Sequence, residues 1–289
     1  RLRGVIVPPA AVVPRSNGKL DFGSLNPPQN GRRNNQGVEG MSLSPDGTRL
    51  FVALQSALIQ DSAHGDASGR INMRVLVYDV SHDPTPRRPI GHYVVQLPAY
   101  NDRGDGKPAN KTAAQSEVRA LNEHQFLMLS RDGNGLGTDN DKPIVYKSVL
   151  LVDTLDATNL AGSKYETGDT SILRSPESNE LKPGIKPATW NELVNLLNRA
   201  QLSRFGLNLD TQPKNQLLTL SEKWEAMDLV PALDPDKPWD YFLFVGNDND
   251  FIARHCVMEG QRCDSTFDND NMLLVYRLTL PSMQLHVKP

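Results

Sequence analysis

The chain has 289 residues, a formal net charge of −3 and a hydrophobic fraction of 38%. This charge gives no reason to expect a nucleic acid or an anionic membrane as a partner. No apolar run approaches the roughly 18 residues that a membrane-spanning helix needs. The 21 glycines and 21 prolines are typical of a protein with many turns, so the composition favours short strands over long helices.

Residues 1–289 are interpreted as a single domain that lacks an upstream part. The chain begins with arginine and has no signal-like segment, which predicts a processed or truncated protein. An upstream fragment of the same precursor is therefore an expected partner. Residues 8–36, which are rich in proline, asparagine and arginine, are predicted to form an extended connection.

A repeated pattern of short apolar runs divides the chain into three units. The first unit has strand-like runs at residues 38–43, 49–54, 73–80 and 90–97. Its first two runs flank the sequence Ser-Pro-Asp-Gly, which predicts a hairpin because proline presets φ and glycine accepts a positive φ. The other two units have such runs at residues 116–121, 125–129, 145–152, 224–229, 241–245 and 272–278.

Each unit has a glutamate near the start of its first strand: Glu39, Glu117 and Glu225. Blades around a channel repeat such a position, because their innermost strands begin at the same rim. The sequence therefore predicts an all-β protein with a β-propeller fold. Three units cannot close a propeller, so six blades are expected when the domain is complete.

One helix is predicted, inside an insertion at residues 155–220. Apolar residues at helical spacing place this helix at residues 189–202. Thr189 would be its N-cap, with Glu192 three residues later. The helix is expected to pack on the side of the propeller.

Two features of the loops favour a secreted, extracellular protein. Cys256 and Cys263 lie close together in a polar stretch, where an oxidising compartment would join them in a disulfide. In the cytosol they would be two thiols or half of a zinc site. Asn110 begins the sequence Asn-Lys-Thr, which is an acceptor site for N-glycosylation and predicts a glycoprotein.

Three motifs resemble the phytase-like family, which is also described by its esterase-like activity. Residues 35–47 match an Asn-x-Gly-x-Glu-Gly motif that precedes a Ser-Pro-Asp-Gly turn, and residues 116–121 and 246–251 match later motifs. The similarity spans about residues 30–280. Two positions depart from the family's pattern, because Ala226 replaces a glycine and Ser130 replaces a glutamate.

The resemblance implies a secreted β-propeller that hydrolyses a phosphoester or an ester, with phytate as the type of substrate. It also implies the upstream part, because members of the family have an additional acidic blade before the first motif. The Arg-His-Gly-x-Arg signature of the histidine acid phosphatases does not occur in the sequence. The six histidines show no metal-ligand spacing, and no serine-nucleophile motif follows a strand.

A calcium site is predicted where carboxylates converge at one mouth of the channel. Its ligands are predicted to be Glu39, Glu225, Asp248, Asn249 and Asp250. Carboxylate and amide oxygens suit Ca²⁺, and clustered carboxylates raise one another's pKa unless a cation neutralises them. A bound Ca²⁺ would attract phosphate and position a water for attack.

The catalytic residues are predicted to be Glu39, Glu225, Arg131 and Lys223. Arg131 and Lys223 would hold phosphate oxygens, Arg131 through a bidentate fork. The structural alternative is that each glutamate accepts backbone N–H groups of a neighbouring blade or pairs with an arginine. For Glu117 the nearby Arg119 favours this structural role.

Two functions are compatible with these residues. The first is calcium-dependent hydrolysis of a small phosphorylated or ester substrate. The second is a non-catalytic propeller that binds a partner or serves an extracellular structure, with calcium only stabilising the fold. The departures at Ser130 and Ala226 favour the second.

Overall fold

The structure is a computed structural model that describes residues 4–63, 67–138, 141–211 and 218–281. Its first strands are β1 (Arg15–Ser16), β2 (Lys19–Leu20), β3 (Val38–Leu43), β4 (Arg49–Ala57), β5 (Asn72–Asp79) and β6 (Gly91–Gln96). The next strands are β7 (Ala99–Tyr100), β8 (Lys111–Thr112), β9 (Ala114–Ala120), β10 (Gln125–Arg131), β11 (Lys147–Asp153) and β12 (Thr189–Asn195). The last strands are β13 (Lys223–Pro231), β14 (Asp240–Asp248), β15 (Val257–Met258), β16 (Gln261–Arg262) and β17 (Leu273–Thr279).

Antiparallel pairing arranges the long strands in three sheets. Sheet 1 has the strand order β3-β4-β5-β6, sheet 2 has β9-β10-β11-β12, and sheet 3 has β13-β14-β17. The short strands form the ladders β1-β2, β7-β8 and β15-β16. Within the described ranges, helical structure is limited to α1 (Arg199–Leu202) and to 3₁₀ turns at Ile59–Asp61, Ala67–Gly69, Lys164–Glu166 and Ser203–Phe205. The prediction of an all-β protein is confirmed, and no helix in this part of the chain is long and apolar enough to cross a membrane.

The strands of sheet 1 form where the apolar runs predict them. The run at residues 38–43 is β3, and the following three strands begin within one residue of the predicted runs. The predicted hairpin turn joins β3 to β4, where the backbone N–H of Gly47 donates to the carbonyl of Ser44 at 2.8 Å. Gly47 has a φ of +73°, which is the conformation that the turn requires of a glycine.

The predicted helix at residues 189–202 is wrong. Its first half is β12, the outer strand of sheet 2, and α1 contains only the last four residues. The carboxylate of Glu192 accepts a hydrogen bond from the Ser148 hydroxyl of β11 at 2.7 Å, instead of capping a helix. Pairing with the free edge of β11 overrides the local helical pattern, because the preference for a strand depends on its neighbours.

Sheet 2 lies between the other two sheets and contributes to the two larger hydrophobic clusters. Phe126 and Met128 of β10 pack in the cluster shared with sheet 1. Leu127 and Leu129 of the same strand pack in the cluster shared with sheet 3. Successive side chains of a strand point to opposite faces, so β10 contributes one face to the cluster shared with sheet 1 and the other face to the cluster shared with sheet 3.

The first strands of the three sheets, β3, β9 and β13, are neighbours. In space β9 packs against both β3 and β13. The backbone N–H of Ala120 donates to Ser42 Oγ at 3.0 Å. A Cβ atom on Gly40 would lie 2.8 Å from the backbone nitrogen of Val118. From the first contact to the second, the residue numbers increase on both strands, from Gly40 to Ser42 and from Val118 to Ala120. The strands β3 and β9 therefore run in the same direction.

We expect Gly40→Ala to lower the free energy of unfolding by about 1–3 kcal/mol, because the backbone of β9 would have to move away. Urea unfolding measures this change. Gly133→Ala is the matched control, since Gly133 is exposed and its added Cβ would meet nothing within 4 Å. A loss at Gly40 as small as that of the control would show that β3 and β9 are not in close contact.

A buried network anchors the insertion between β11 and β12 to sheet 1. Arg74 forms a fully buried ion pair with Asp61 at 2.7 Å and donates to the carbonyl of Tyr165. His92 contacts the carboxylate of Glu166 at 2.9 Å, and burial lowers the pKa of this histidine. The insertion also packs Leu160 and Ile172 against Val94 of β6, so buried polar and apolar contacts together hold it on sheet 1.

The loop between β14 and β17 contains the predicted disulfide. Cys256 and Cys263 are bonded, with a Cα–Cα distance of 4.9 Å. The predicted glycosylation site, Asn110, is exposed, and its amide donates to Asp102 at 2.7 Å. Glycosylation of Asn110 stays a prediction.

Candidate functional site

Each of the first strands of the three sheets, β3, β9 and β13, contains a β-bulge near its beginning. The residue without a cross-strand partner is Glu39 in β3, Ser116 in β9 and Glu225 in β13. A bulge bends its strand and redirects the side chain of the extra residue. Glu39 and Glu225 therefore occupy equivalent positions at the beginnings of their strands.

Glu117 is not equivalent to Glu39 and Glu225, because it lies one residue beyond the bulge of β9. Its carboxylate accepts the backbone N–H groups of Val118, at 2.8 Å, and of Met41 in the neighbouring sheet. Glu117 therefore has the structural role of accepting backbone N–H groups. Arg119 pairs with Asp228 of β13, at 3.1 Å, and not with Glu117.

Arg131, at the end of β10, joins two of the bulges. Its Nη2 donates to the carboxylate of Glu225, and its Nε donates to Ser116 Oγ at 3.0 Å. Its Nη1 donates to the carbonyl of Asp132 at 3.1 Å. Arg131 is only 7% exposed, so its guanidinium is a fixed cation between β9 and β13.

A buried ion pair lies directly behind Arg131. Lys147 of β11 donates to Asp132 at 2.8 Å and to the carbonyl of Glu222 at 2.7 Å. Both side chains of the pair are inaccessible to solvent. Burial lowers the pKa of Lys147, and the adjacent carboxylate of Asp132 opposes this decrease. The other oxygen of Asp132 accepts the backbone N–H groups of Val145 and Tyr146.

Glu39 lies in the electrostatic field of the other predicted catalytic residues. Burial raises the pKa of its carboxyl, and the negative charges of Glu225 and Glu117 raise it further. The positive charges of Arg131 and Lys223 oppose this increase. Glu39 is therefore electrostatically coupled to Glu225, Arg131 and Lys223, and its own side chain is exposed. A catalytic role for these four residues stays a prediction.

The acidic turn after β14 lies beside Lys223. The ammonium of Lys223 donates to Asp250 at 2.6 Å, and Lys223 is the cross-strand partner of Asp248. Burial lowers the pKa of Lys223, but the hydrogen bond to Asp250 outweighs it and the net shift is upward. Within the turn, Asp248 accepts the N–H of Asp250, and Asn249 accepts the N–H of Phe251.

Four of the five predicted calcium ligands, Glu225, Asp248, Asn249 and Asp250, therefore already have partners within the protein. In the part of the chain that the structure describes, no three His, Cys, Asp or Glu side chains are arranged to hold a metal ion. Asp248 and Asn249 bind the backbone of their own turn, and Asp250 binds Lys223. This donor set is not a preformed metal cage, and calcium binding stays a prediction.

Sequence reasoning missed the residues that position Arg131. Ser116 carries no motif of its own, and its place in the bulge depends on how β9 pairs with β10. Lys147 offers a signal, because it is a charged residue inside an apolar run that predicts a buried strand. A buried lysine requires a partner, and Asp132 is adjacent to the predicted Arg131.

Comparison with known proteins places the chain in a family. The model of the phytase-like family, described as esterase-like activity of phytase, matches residues 1–251. A relative from Arthroderma benhamiae, named "Uncharacterized secreted protein", is 33% identical over 276 residues, which are 88% of this chain and 52% of the relative. The chain therefore spans about half the length of this relative. No solved structure matches the chain.

These matches confirm two predictions made from the sequence: that the protein is secreted and that it is a member of the phytase-like family. Secretion, expected from the cysteines and the sequon, agrees with the name of the relative. The match of the family model begins at the first residue and includes the bulge residues Glu39, Ser116 and Glu225. The chain belongs to the phytase-like family.

Proposed function

We propose that this protein hydrolyses phosphoric esters of the phytate type. One observation carries the proposal: Glu39 and Glu225 occupy equivalent bulges of β3 and β13, the two strands that flank β9, and the Arg131 guanidinium is bonded to Glu225. Two carboxylates in different environments are the usual arrangement for acid and base catalysis. The family's description by the esterase-like activity of phytase supports the same reaction class.

We propose a β-propeller, with six blades when complete, as the scaffold. Three stacked sheets whose first strands are neighbours are consistent with consecutive blades around a channel. On β3, Met41 is 61% exposed and Leu43 is 48% exposed, as expected for a strand that further blades would cover. The relative, which is about twice as long, has enough additional chain to supply them.

In the proposed mechanism Glu39 is the general acid and Glu225 the general base. Glu225 takes a proton from a water as the water oxygen attacks phosphorus. Glu39 gives its proton to the oxygen of the leaving alcohol, so that the products are the alcohol and phosphate. The raised pKa of Glu39 favours the protonated form that donation requires. Arg131 holds Glu225 in position, and Lys223 contributes positive charge to the same field.

Calcium remains part of the proposal as an aid to substrate binding, whereas the proton transfers are carried out by Glu39 and Glu225. Asp248, Asn249 and Asp250 are the residues proposed to hold the ion, because a protonated Glu39 cannot also bind a metal ion and Glu225 is bonded to Arg131. When bound, Ca²⁺ would supply positive charge for phosphate oxygens and orient a water. Binding would require Asp250 to exchange its bond to Lys223 for one to the metal.

Phosphate release from phytate and from an aryl phosphate tests the proposal, with added Ca²⁺ and with a chelator. We expect turnover of phytate that the chelator reduces. If the chelator leaves turnover unchanged, the calcium requirement would be rejected, but the proposed hydrolase activity would stand. The lack of turnover in every condition would reject the hydrolase for this chain.

A binding or structural role is the second candidate. The pairing of Arg131 with Glu225 and of Lys223 with Asp250 favours it, because both cations are neutralised within the protein. A melting temperature that falls on chelation, without any hydrolysis, would support this role, with calcium only stabilising the fold.

A further inference from the structure

Two arginines flank the end of β4, at the rim where β3 begins. The segment containing Arg33 is bonded to this end of β4, since the N–H of Gln55 donates to the carbonyl of Gly37 at 2.9 Å. Arg70 approaches from the other side, where its carbonyl accepts the N–H of Ala57. The end of β4 pairs with the beginning of β3, so both arginines are at the same end of sheet 1 as Glu39.

Neither guanidinium has a counter-charge among the described residues. Arg33 and Arg70 are half-buried, and the Nε atom of each is buried without a hydrogen-bond partner. Burial and the positive charge of Arg70 lower the pKa of Arg33 to about 10. By contrast Arg74, Arg119 and Arg131 each pair with an aspartate or a glutamate.

Two arginines that repel each other and have no counter-charge among the described residues are unfavourable in the free protein. Each loses part of its hydration on burial, and the two like charges repel each other. A tetrahedral oxyanion would relieve both costs, because guanidinium groups donate paired hydrogen bonds to phosphate oxygens. The predicted phosphate-holding residues, Arg131 and Lys223, are already bound to carboxylates, whereas no carboxylate of the described ranges binds Arg33 or Arg70.

We propose that Arg33 and Arg70 form a phosphate-binding subsite on the rim that carries Glu39. This inference rests on the proposed function for the nature of the substrate, and it narrows the substrate to polyphosphorylated molecules. One phosphate of such a substrate is attacked beside Glu39 and Glu225, and another is held by the two arginines. A monophosphate has no group for this subsite.

Binding of inorganic phosphate, measured by titration calorimetry, tests the subsite without requiring catalysis. We expect Arg33→Gln and Arg70→Gln each to weaken phosphate binding about tenfold or more, since each removes charge-assisted hydrogen bonds. Arg87→Gln is the matched control, because Arg87 is exposed and should leave the affinity unchanged. Without phosphate, the two variants should melt no lower than the wild type, since each removes one of two repelling charges.

Kinetics separate the subsite from the proposed reaction. In the double variant the KM for phytate should rise about tenfold or more, whereas the KM for an aryl monophosphate should not change. Equal phosphate affinity in the double variant and the wild type would overturn the subsite, even if hydrolysis is observed. If phosphate binding requires both arginines but the protein shows no hydrolysis, the phosphate-binding subsite would be supported. The proposed hydrolase activity would then be rejected.

Discussion

Glu225→Gln is expected to lower kcat for phytate hydrolysis by about 10²–10⁴-fold, which is the usual contribution of a general base. Glutamine keeps the shape of the side chain and can still accept the hydrogen bond from Arg131. It cannot take a proton from water. Arg131 loses its counter-charge in this variant, so the free energy of unfolding should also fall, by about 1–3 kcal/mol. Urea unfolding would show that the variant is still folded under the conditions in which steady-state kinetics measure the loss of the chemical step.

Glu117→Gln is the matched control for this variant. Glu117 belongs to the same acidic cluster, but its carboxylate accepts backbone N–H groups of Val118 and Met41. Glutamine can accept the same hydrogen bonds, so kcat should stay close to that of the wild type. A loss of activity as large as that of Glu225→Gln would mean that the net charge of the cluster matters, instead of the position of one carboxylate.

The pH profile separates the roles of Glu39 and Glu225. Glu39 must be protonated to donate, so activity should fall as the pH rises through its pKa. Burial and neighbouring carboxylates raise that pKa, so the decrease should occur at a higher pH than for an ordinary glutamate. Glu39→Gln should remove this limb of the profile and lower kcat. A profile that keeps the limb in Glu39→Gln would assign the acid to another residue.

The sheets were predictable because local patterns and tertiary pairing agree there. The Ser-Pro-Asp-Gly turn and the flanking apolar runs specify the hairpin of β3 and β4 in the sequence itself. The prediction for residues 189–202 was wrong because the local sequence pattern and the tertiary strand pairing disagree there. Its apolar residues fit one face of a helix, but the edge of β11 has a vacant row of hydrogen-bonding groups that β12 fills.

The sequence predicted the types of residue in the candidate site, but it did not predict which residue occupies the bulge of each strand. Glutamates at strand openings pointed to Glu39 and Glu225, and the structure places both in bulges. The same reasoning selected Glu117, although Ser116 is the residue in the bulge of β9. A bulge shifts the ladder by one residue, and no local pattern shows which residue is extra. Sequence alone also cannot show which cations are neutralised by neighbours.

Lys147→Ala is expected to lower the free energy of unfolding by about 3–5 kcal/mol, because it leaves the buried carboxylate of Asp132 without its counter-charge. Lys147 also donates to the carbonyl of Glu222, which would lose this donor. Urea unfolding measures the change. Lys186→Ala is the control, since its pair with Asp156 is exposed and such pairs contribute at most about 1 kcal/mol.

A double-mutant cycle shows whether Asp132 and Lys147 act as a unit. Lys147→Met keeps most of the side-chain volume, and Asp132→Asn can still accept the backbone N–H groups of Val145 and Tyr146. The double variant should therefore be more stable than the sum of the two single losses predicts. Additive losses would mean that each side chain is held by the backbone alone. Arg131 would then not depend on the ion pair behind it, and the rigidity of the proposed site would have to come from the bulges of β9 and β13.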